Sequence, residues 1–488
     1  MKPNRLLFVP LLAVLAGGCA VGPDYQRPAV NTPARWSEPL AGGETNAPVP
    51  LTAWWRNFND PELESLIDRA VPSNLDLRIA QARVREARAQ YGIAAANLWP
   101  SADVSGSYAR TGTSHHQPVL GSLPIPPGVP FENDVYQAGF DASWEVDVFG
   151  GKRRATEAAR DEVAAFEYGR RATLITLLGD VARNYIDVRG YQRRLAITRE
   201  NIEAQEQALA ITHDRFTNGL TSDLDVQQAA TLLATTKAEV PSLETALQAS
   251  IHRLGVLLGR PPGTLLAELS QAAPIPAAPP QVPTGLPSEL LLRRPDVQQA
   301  ERQLAAATAN IGVARADLFP KFYLTGLGGF ESISADDWFT AGSRFWSVGP
   351  TVQWKIFDAG RIRAHIKVQN AQQEQALAAY EKAVLTAFED VENSLVAYAN
   401  EQLRRQSLEN AVTSSRQSLD LANKLYANGL TDFVNVLEAE RSLYQAQDAL
   451  VQSDRTVSAD VVALYKSLGG GWETAGKQTS LSLAQTTR

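Results

Sequence analysis

A chain of 488 residues with 44% hydrophobic and 20% charged side chains can bury a sizeable core, which excludes disorder as its general state. A formal net charge of -7 without a clustered basic face excludes nucleic acid as an expected partner. The single cysteine excludes disulfides within the chain, and nothing beyond the N-terminus approaches the ~18 consecutive apolar residues of a transmembrane helix.

Residues 1–18 read as a secretory signal peptide: basic Lys2 and Arg5, an apolar run from Leu6 to Leu15, then the small residues Ala16-Gly17-Gly18 before Cys19. This resembles a bacterial lipoprotein signal, which makes Cys19 the expected lipid attachment site. Ala20 in place of an aspartate then implies the outer membrane. Cleavage further on would instead discard the cysteine. Residues 19–73 form an N-terminal strap, rich in Pro and Gly to about Pro50, then a short helix expected over Trp54–Ala70. Asp60-Pro61 supplies an N-cap and a first helical position there.

A helix expected from Asn74 to about Leu98 ends before Pro100, and this stretch recurs. Asp76, Ala80, Gly92, Ala94, Leu98, Pro100 and Gly106 match Asp296, Ala300, Gly312, Ala314, Leu318, Pro320 and Gly326 at an offset of 220. From Trp144/Trp354 onward the offset is 210. The chain is thus an internal duplication, residues 74–260 and 288–468, and the change of length marks a surface loop in each copy. A proline-rich connector, 261–287, is expected to wrap the outside of the helices. The polar tail, 469–488, is expected to be largely disordered.

Each loop joins two strands. From Val135 to Val148, apolar Tyr136, Phe140, Trp144 and Val146 alternate with Gln137, Asp141 and Glu145, and Trp346 to Ile356 repeats the pattern. A half-buried soluble sheet gives the same period of two. Runs of about ten residues, aromatic near their ends and charged on one face, suit a transmembrane β-barrel with a wet lumen. Val104 to Tyr108 and Phe322 to Gly326 supply weaker partners, making four strands per chain. Since single-chain barrels start at about eight strands, four require oligomerisation.

Very long helices follow, Arg153–Thr217 and Ile362–Ala427, each on the order of 100 Å long. Leu377, Tyr380, Val384, Phe388, Val391, Leu395 and Tyr398 form a heptad seam. The returning helices repeat every seven residues, through Val226, Leu233, Val240, Leu247 and Leu254 and through Val436, Leu443, Leu450, Val457 and Leu464. Pro241 is expected to kink or interrupt the first of them. Between outgoing and returning helices lie twin tips, Asn218-Gly219-Leu220-Thr221 and Asn428-Gly429-Leu430-Thr431, where glycine supplies the left-handed cap and Thr431 or Asp432 the next N-cap.

Together with Cys19-Ala20-Val21-Gly22-Pro23-Asp24-Tyr25-Gln26-Arg27-Pro28, Gly285-Leu286-Pro287-Ser288-Glu289-Leu290-Leu291-Leu292-Arg293-Arg294-Pro295-Asp296, Ala316-Asp317-Leu318-Phe319-Pro320 and Leu468-Gly469-Gly470-Gly471-Trp472, this plan resembles the TolC-like outer-membrane efflux proteins of the lipidated OprM/NodT branch. The resemblance implies a homotrimer in the outer membrane: a 12-stranded β-barrel, four strands per chain, continued by a long periplasmic α-helical barrel. It also implies a periplasmic adaptor and an inner-membrane RND-type pump as partners in a passive export duct. By the same resemblance Val434, Glu438 and Arg441 match an inward-facing gate, and the outer faces of both tips meet the adaptor. Copy one has Leu224, Gln228 and Thr231 at the gate positions. Read without the family, Val434 is seam packing and Glu438–Arg441 a solvated pair on one helix face. A periplasm-spanning lipoprotein scaffold without a pore is the alternative function. The five histidines have no metal-ligand spacing and no catalytic motif occurs, so neither an enzyme nor a cofactor is expected.

Overall fold

The computed structural model describes residues 20–37, 44–45, 51–112, 114, 132–279, 282–283 and 287–473. Cys19, His115, His116 and the tail from residue 474 lie outside the described residues. Eight helices are present among them: α1 (Pro61–Ser73), α2 (Leu75–Ala96), α3 (Gly151–Thr217), α4 (Asp223–Leu257), α5 (Pro287–Arg293), α6 (Pro295–Ala316), α7 (Arg361–Ala427) and α8 (Phe433–Ser467). The strands are β1 (Glu44–Thr45), β2 (Ser101–Gly112), β3 (Glu132–Val146), β4 (Val282–Pro283), β5 (Lys321–Ser332) and β6 (Arg344–Gln353). The chain is therefore mainly helical with one four-stranded antiparallel sheet in the order β2-β3-β5-β6. No helix among the described residues is long and apolar enough to cross a membrane.

The two copies agree element by element. Helices α2 and α6 have 22 residues each, β2 and β5 have 12, α3 and α7 have 67, and α4 and α8 have 35. Equivalent tryptophans even make equivalent bonds: Trp144 Nε1 donates to the Leu98 carbonyl at 2.9 Å and Trp354 Nε1 to that of Leu318 at 3.0 Å. Compact units cut across the copies. One contains residues 1–28, 85–165 and 301–379, the other 29–84, 166–300 and 380–488.

The first unit holds the sheet. Its N-terminal strap docks by a close backbone approach: Gly22, at φ +104°, would place a side chain's Cβ 2.5 Å from the Gly312 Cα, so only glycine fits. Charge fastens the strap further, through Arg154 to Asp24 at 2.5 Å and Arg27 to Glu301 at 3.0 Å.

In the second unit the heptad seams are the core. Tyr380, Val384, Val391, Leu395 and Tyr398 of α7 are buried, as are Val436, Leu443, Val457 and Leu464 of α8. The connector lies on these helices. Arg189 and Gln192 of α3 donate to the carbonyls of Gln271 (2.8 Å) and Leu269 (2.7 Å), and Ser458 of α8 donates to that of Pro276 (2.7 Å). Strands β1 and β4 add a short parallel pair between strap and connector that no sequence period announced.

Four expectations need correction. The helix expected over Trp54–Ala70 is two elements, a 3-10 helix at Leu51–Phe58 and α1, because Asn59 takes φ +51° between them. Asp60 still caps α1, accepting from the backbone N–H groups of Glu62 and Leu63 at 3.0 Å. Helix α4 runs without interruption through Pro241, held on either side by buried Leu233, Thr236 and Leu243. The start of the tail is packed, not disordered. Gly469, Gly470 and Gly471 are buried against Arg293, Leu51, Trp54 and Leu178, and Trp472 Nε1 donates to the Arg293 carbonyl at 3.1 Å. Finally, β6 stops at Gln353, leaving Trp354 and Ile356 outside the strand that their alternation had promised.

Candidate functional site: the membrane sheet and the helical tips

The register of the sheet sorts its residues by parity. Even-numbered residues share one face, in rows such as Val104–Phe140–Gly328–Trp346 and Ala102–Ala142–Gly326–Val348. Odd-numbered residues, including Asp103, Ser105, Gln137, Asp141, Glu145, Thr325 and Ser347, share the other. The apolar face is open among the described residues: Val104 is 88% exposed and Trp346 79%. A contiguous apolar face of this extent is suited to lipid, not water.

Aromatic residues mark both ends of that face. Tyr108 lies 4.9 Å from Tyr136, and Tyr136 5.5 Å from Trp338, at the loop end. Trp144, Trp354 and the stacked pair Phe149–Phe319 (4.5 Å) mark the other. Eight residues separate Tyr136 from Trp144, about 27 Å at roughly 3.4 Å per residue along an antiparallel strand. This is on the order of the ~25 Å apolar band of outer-membrane barrels, with its two aromatic girdles. Among the described residues the outer edges of β2 and β6 have no strand partner, so the sheet is open.

At the tips the two copies share a backbone. Gly219 and Gly429 take φ +73° and +69°. The next residue's N–H reaches back to close the helix end, Leu220 to the Arg215 carbonyl at 2.8 Å and Leu430 to the Leu425 carbonyl at 2.9 Å. Asn218 and Asn428 each donate a side-chain amide to the carbonyl four residues back, both at 2.7 Å. Leu220 and Leu430 are left 67% and 73% exposed. Thr221 bonds the Asp225 carboxylate, whereas Thr431 accepts from the Asn435 amide at 2.8 Å. Position 432 is the N-cap of α8, without a capping bond from the Asp432 side chain.

The three residues matched to a gate lie off the packed seam. Phe433, Val436 and Leu437 fill the seam with Ala229, against Leu209, Leu232, Leu419, Ala422 and Tyr426. Val434 is 43% exposed and lies off the seam of its own chain. Arg441 Nη1 sits 3.1 Å from Glu438 Oε1, and both side chains are more than half exposed.

Two groups near the tips escaped sequence reasoning. Glu440, two residues beyond Glu438, turns inward, where burial pushes its carboxyl up to about 7. Its Oε2 has no hydrogen-bond partner among the described residues. The signal was present, since 433, 436/437, 440 and 443/444 carry the seam spacing, which places an acid on a coiled-coil core position. The second group joins the copies: the Arg215 guanidinium lies over the Tyr426 ring at 4.5 Å, and that ring packs on Phe433 at 5.2 Å.

Comparison with known proteins agrees with this architecture. The profile of the outer membrane efflux protein family matches residues 66–260 and 286–470. The solvent efflux pump outer membrane protein SrpC of Pseudomonas putida is 35% identical over 471 residues, covering 95% of this chain and 98% of its own. The probable outer membrane lipoprotein SilC of Salmonella typhimurium is 32% identical over 471 residues, covering 96% and 99%. Among solved structures, the outer-membrane channel OprN superposes with a TM-score of 0.86 at 35% identity, over 93% of this chain and all of that one. The chain belongs to the outer membrane efflux protein family, and it is the outer-membrane channel component of an efflux system.

Proposed function

We propose that the chain works as a homotrimer whose three sheets close a 12-stranded barrel, with the long helices continuing it as a periplasmic duct. A periplasmic adaptor and an inner-membrane RND-type pump complete the path, and the cargo is small molecules selected by that pump. SrpC, a relative, is named for solvent efflux. Lipid on Cys19 anchors the chain, in keeping with the lipoprotein description of SilC. The chain passes solutes without catalysing a reaction and carries no cofactor. One observation supports the duct best: an open sheet with one apolar and one polar face, which is stable only when its edges are paired and its polar face is wet. A scaffold without a pore leaves that polar face without a role.

The periplasmic end closes as an iris. Three Val434 side chains narrow the bore, and three Glu438 carboxylates repel one another unless Arg441 holds them. Exposure of all three residues, off the seam of their own chain, supports this reading. Asn218, Gly219, Leu220 and Thr221, with Asn428, Gly429, Leu430 and Thr431, offer the adaptor two exposed leucines on rigid turns. The test is single-channel conductance in planar bilayers. Glu438→Ala with Arg441→Ala raises the open probability and conductance, and a wild-type trace from the double variant sinks the gate.

A further inference from the structure

The duplication acts as an internal control for charge where the sheet meets the long helices. In copy one, Glu145 of β3 pairs with Lys152 of α3 at 3.3 Å, and Asp147 pairs with Arg153, also at 3.3 Å. At the offset of 210, Lys355 stands for Glu145 and Ile362 for Lys152, so the sign is reversed and the partner is gone. Arg361 likewise replaces Gly151, and at the offset of 220 Lys321 replaces Ser101 and Tyr323 replaces Asp103. Neither Lys355 nor Arg361 has an ion-pair partner among the described residues.

These replacements meet in one cavity of about 490 Å³, within the size range of small-molecule sites. Lys321, Tyr323 and Gln353 reach it from the odd-numbered, polar face of the sheet. Arg361 and His365, one turn apart on α7, line it from the helix side. Against the three permanent cations Lys321, Lys355 and Arg361, the wall offers one carboxylate, Asp317, which Lys321 already holds at 2.9 Å. Asp358 lies between Lys355 and Arg361 in sequence but is committed to the helix end. Its carboxylate accepts from the backbone N–H groups of Gly360 and Ile362 at 3.0 and 2.8 Å and so caps α7. Tyr323 and Phe319 add aromatic rings to the wall, the second of them stacked on Phe149.

We propose that this cavity binds an organic anion, a carboxylate or sulfonate carried on an apolar ring, as it passes along the polar face. Lys355 and Arg361 take the anionic group by charge-assisted hydrogen bonds, the guanidinium with a fork that suits two oxygens. Tyr323 and Phe319 take the apolar body. Copy one, with Asp103 and Glu145 at the matching places, has the wrong sign for the same ligand. The assignment rests on the duct proposed above, since cargo reaches the polar face only if that face is wet, and it adds a class of cargo to that duct.

The test uses the full-length protein in detergent and in planar bilayers, with 2-naphthalenesulfonate as the probe and its own fluorescence as the readout of binding. Lys355→Gln with Arg361→Gln weakens binding about tenfold or more. Both side chains are exposed, so the double variant keeps its fold. Arg363→Gln removes a cation from the same turn of α7 outside the cavity and changes affinity by less than about twofold. Uncharged 2-naphthol, a ring without the anion, binds the wild type and the double variant alike. Wild-type affinity in the double variant, an equal loss from Arg363→Gln, or no binding by the wild type overturns the site. Current through the same preparations separates the two readings: the probe blocks the wild-type channel and spares the double variant. A channel that conducts without binding the probe sinks the site alone, whereas a protein that binds it through Lys355 and Arg361 but never conducts sinks the duct.

Discussion

The two helical tips have one backbone and two chemistries. Both turn on a glycine with positive φ, both tie an asparagine amide to the preceding helix, and both leave a leucine in water. Beyond Thr221 and Thr431 the likeness stops: Ser222 and Asp223 stand where the second copy has Asp432 and Phe433, and Leu224, Gln228 and Thr231 where it has Val434, Glu438 and Arg441. Turn geometry and side-chain chemistry are thus separable: the turn supplies two similar docking knobs, while the exposed glutamate–arginine pair and the buried phenylalanine are confined to the second tip.

The largest effect expected from that contrast is functional. Removing Glu438 and Arg441 opens the channel, whereas Gln228→Ala with Thr231→Ala leaves conductance at the wild-type level. A response from both tips in planar bilayers would erase the distinction. Next comes packing. Phe433 is buried against Tyr426, while its counterpart Asp223 lies in the first turn of α4, where its carboxylate accepts from the Gln227 amide. Phe433→Ala therefore costs about 3–5 kcal/mol locally, read as faster hydrogen exchange in the first turns of α8 with α4 unchanged.

A smaller effect depends on pH. Glu440, whose counterpart is Ala230, is held with its proton by burial, so the folded state binds more protons than the unfolded chain between its ordinary value of 4.5 and about 7. Stability therefore falls as pH rises through that window, and the full penalty is present above about 7. Burial is the one cause of the shift, with no charged group among the described residues offsetting it. Glu440→Gln stabilises the second hairpin by on the order of 1–3 kcal/mol at pH 8 and by almost nothing at pH 4. Thermal melts at the two pH values measure this difference. The smallest expected effect is shared. No atom lies within 4 Å of a Cβ built on Gly219 or Gly429, so alanine at either costs only the left-handed backbone, about 1 kcal/mol, equal in the two tips.

Much of the fold was legible because its signals are local. Alternation with period two marks β3, heptads mark α4 and α8, and the repeated Asn-Gly-Leu-Thr marks both turns. The repeat also marks the second long helix as the counterpart of the first. What escaped depends on distant residues. Gly469–Gly471 read as a polar tail, yet Trp54 and Leu178 pack on it from more than 290 residues away. β6 stops short of its sequence pattern because a strand needs a neighbour. The four-residue β1–β4 pairing has no period to detect.

The candidate site divides in the same way. Sequence alone determined the turns, the two faces of each strand and the spacing of residues along α8, since these follow from glycine's conformational freedom and from the fixed rise and twist of helix and strand. Only the tertiary structure decided which side of α8 faces its neighbours. Val436 is buried where Val434 is exposed, and Glu440 is pressed inward, its Oε2 without a hydrogen-bond partner among the described residues, where Glu438 meets Arg441 in solvent. Two residues are about 200° of helix, and the direction of the core is set by helices that the local sequence does not contain.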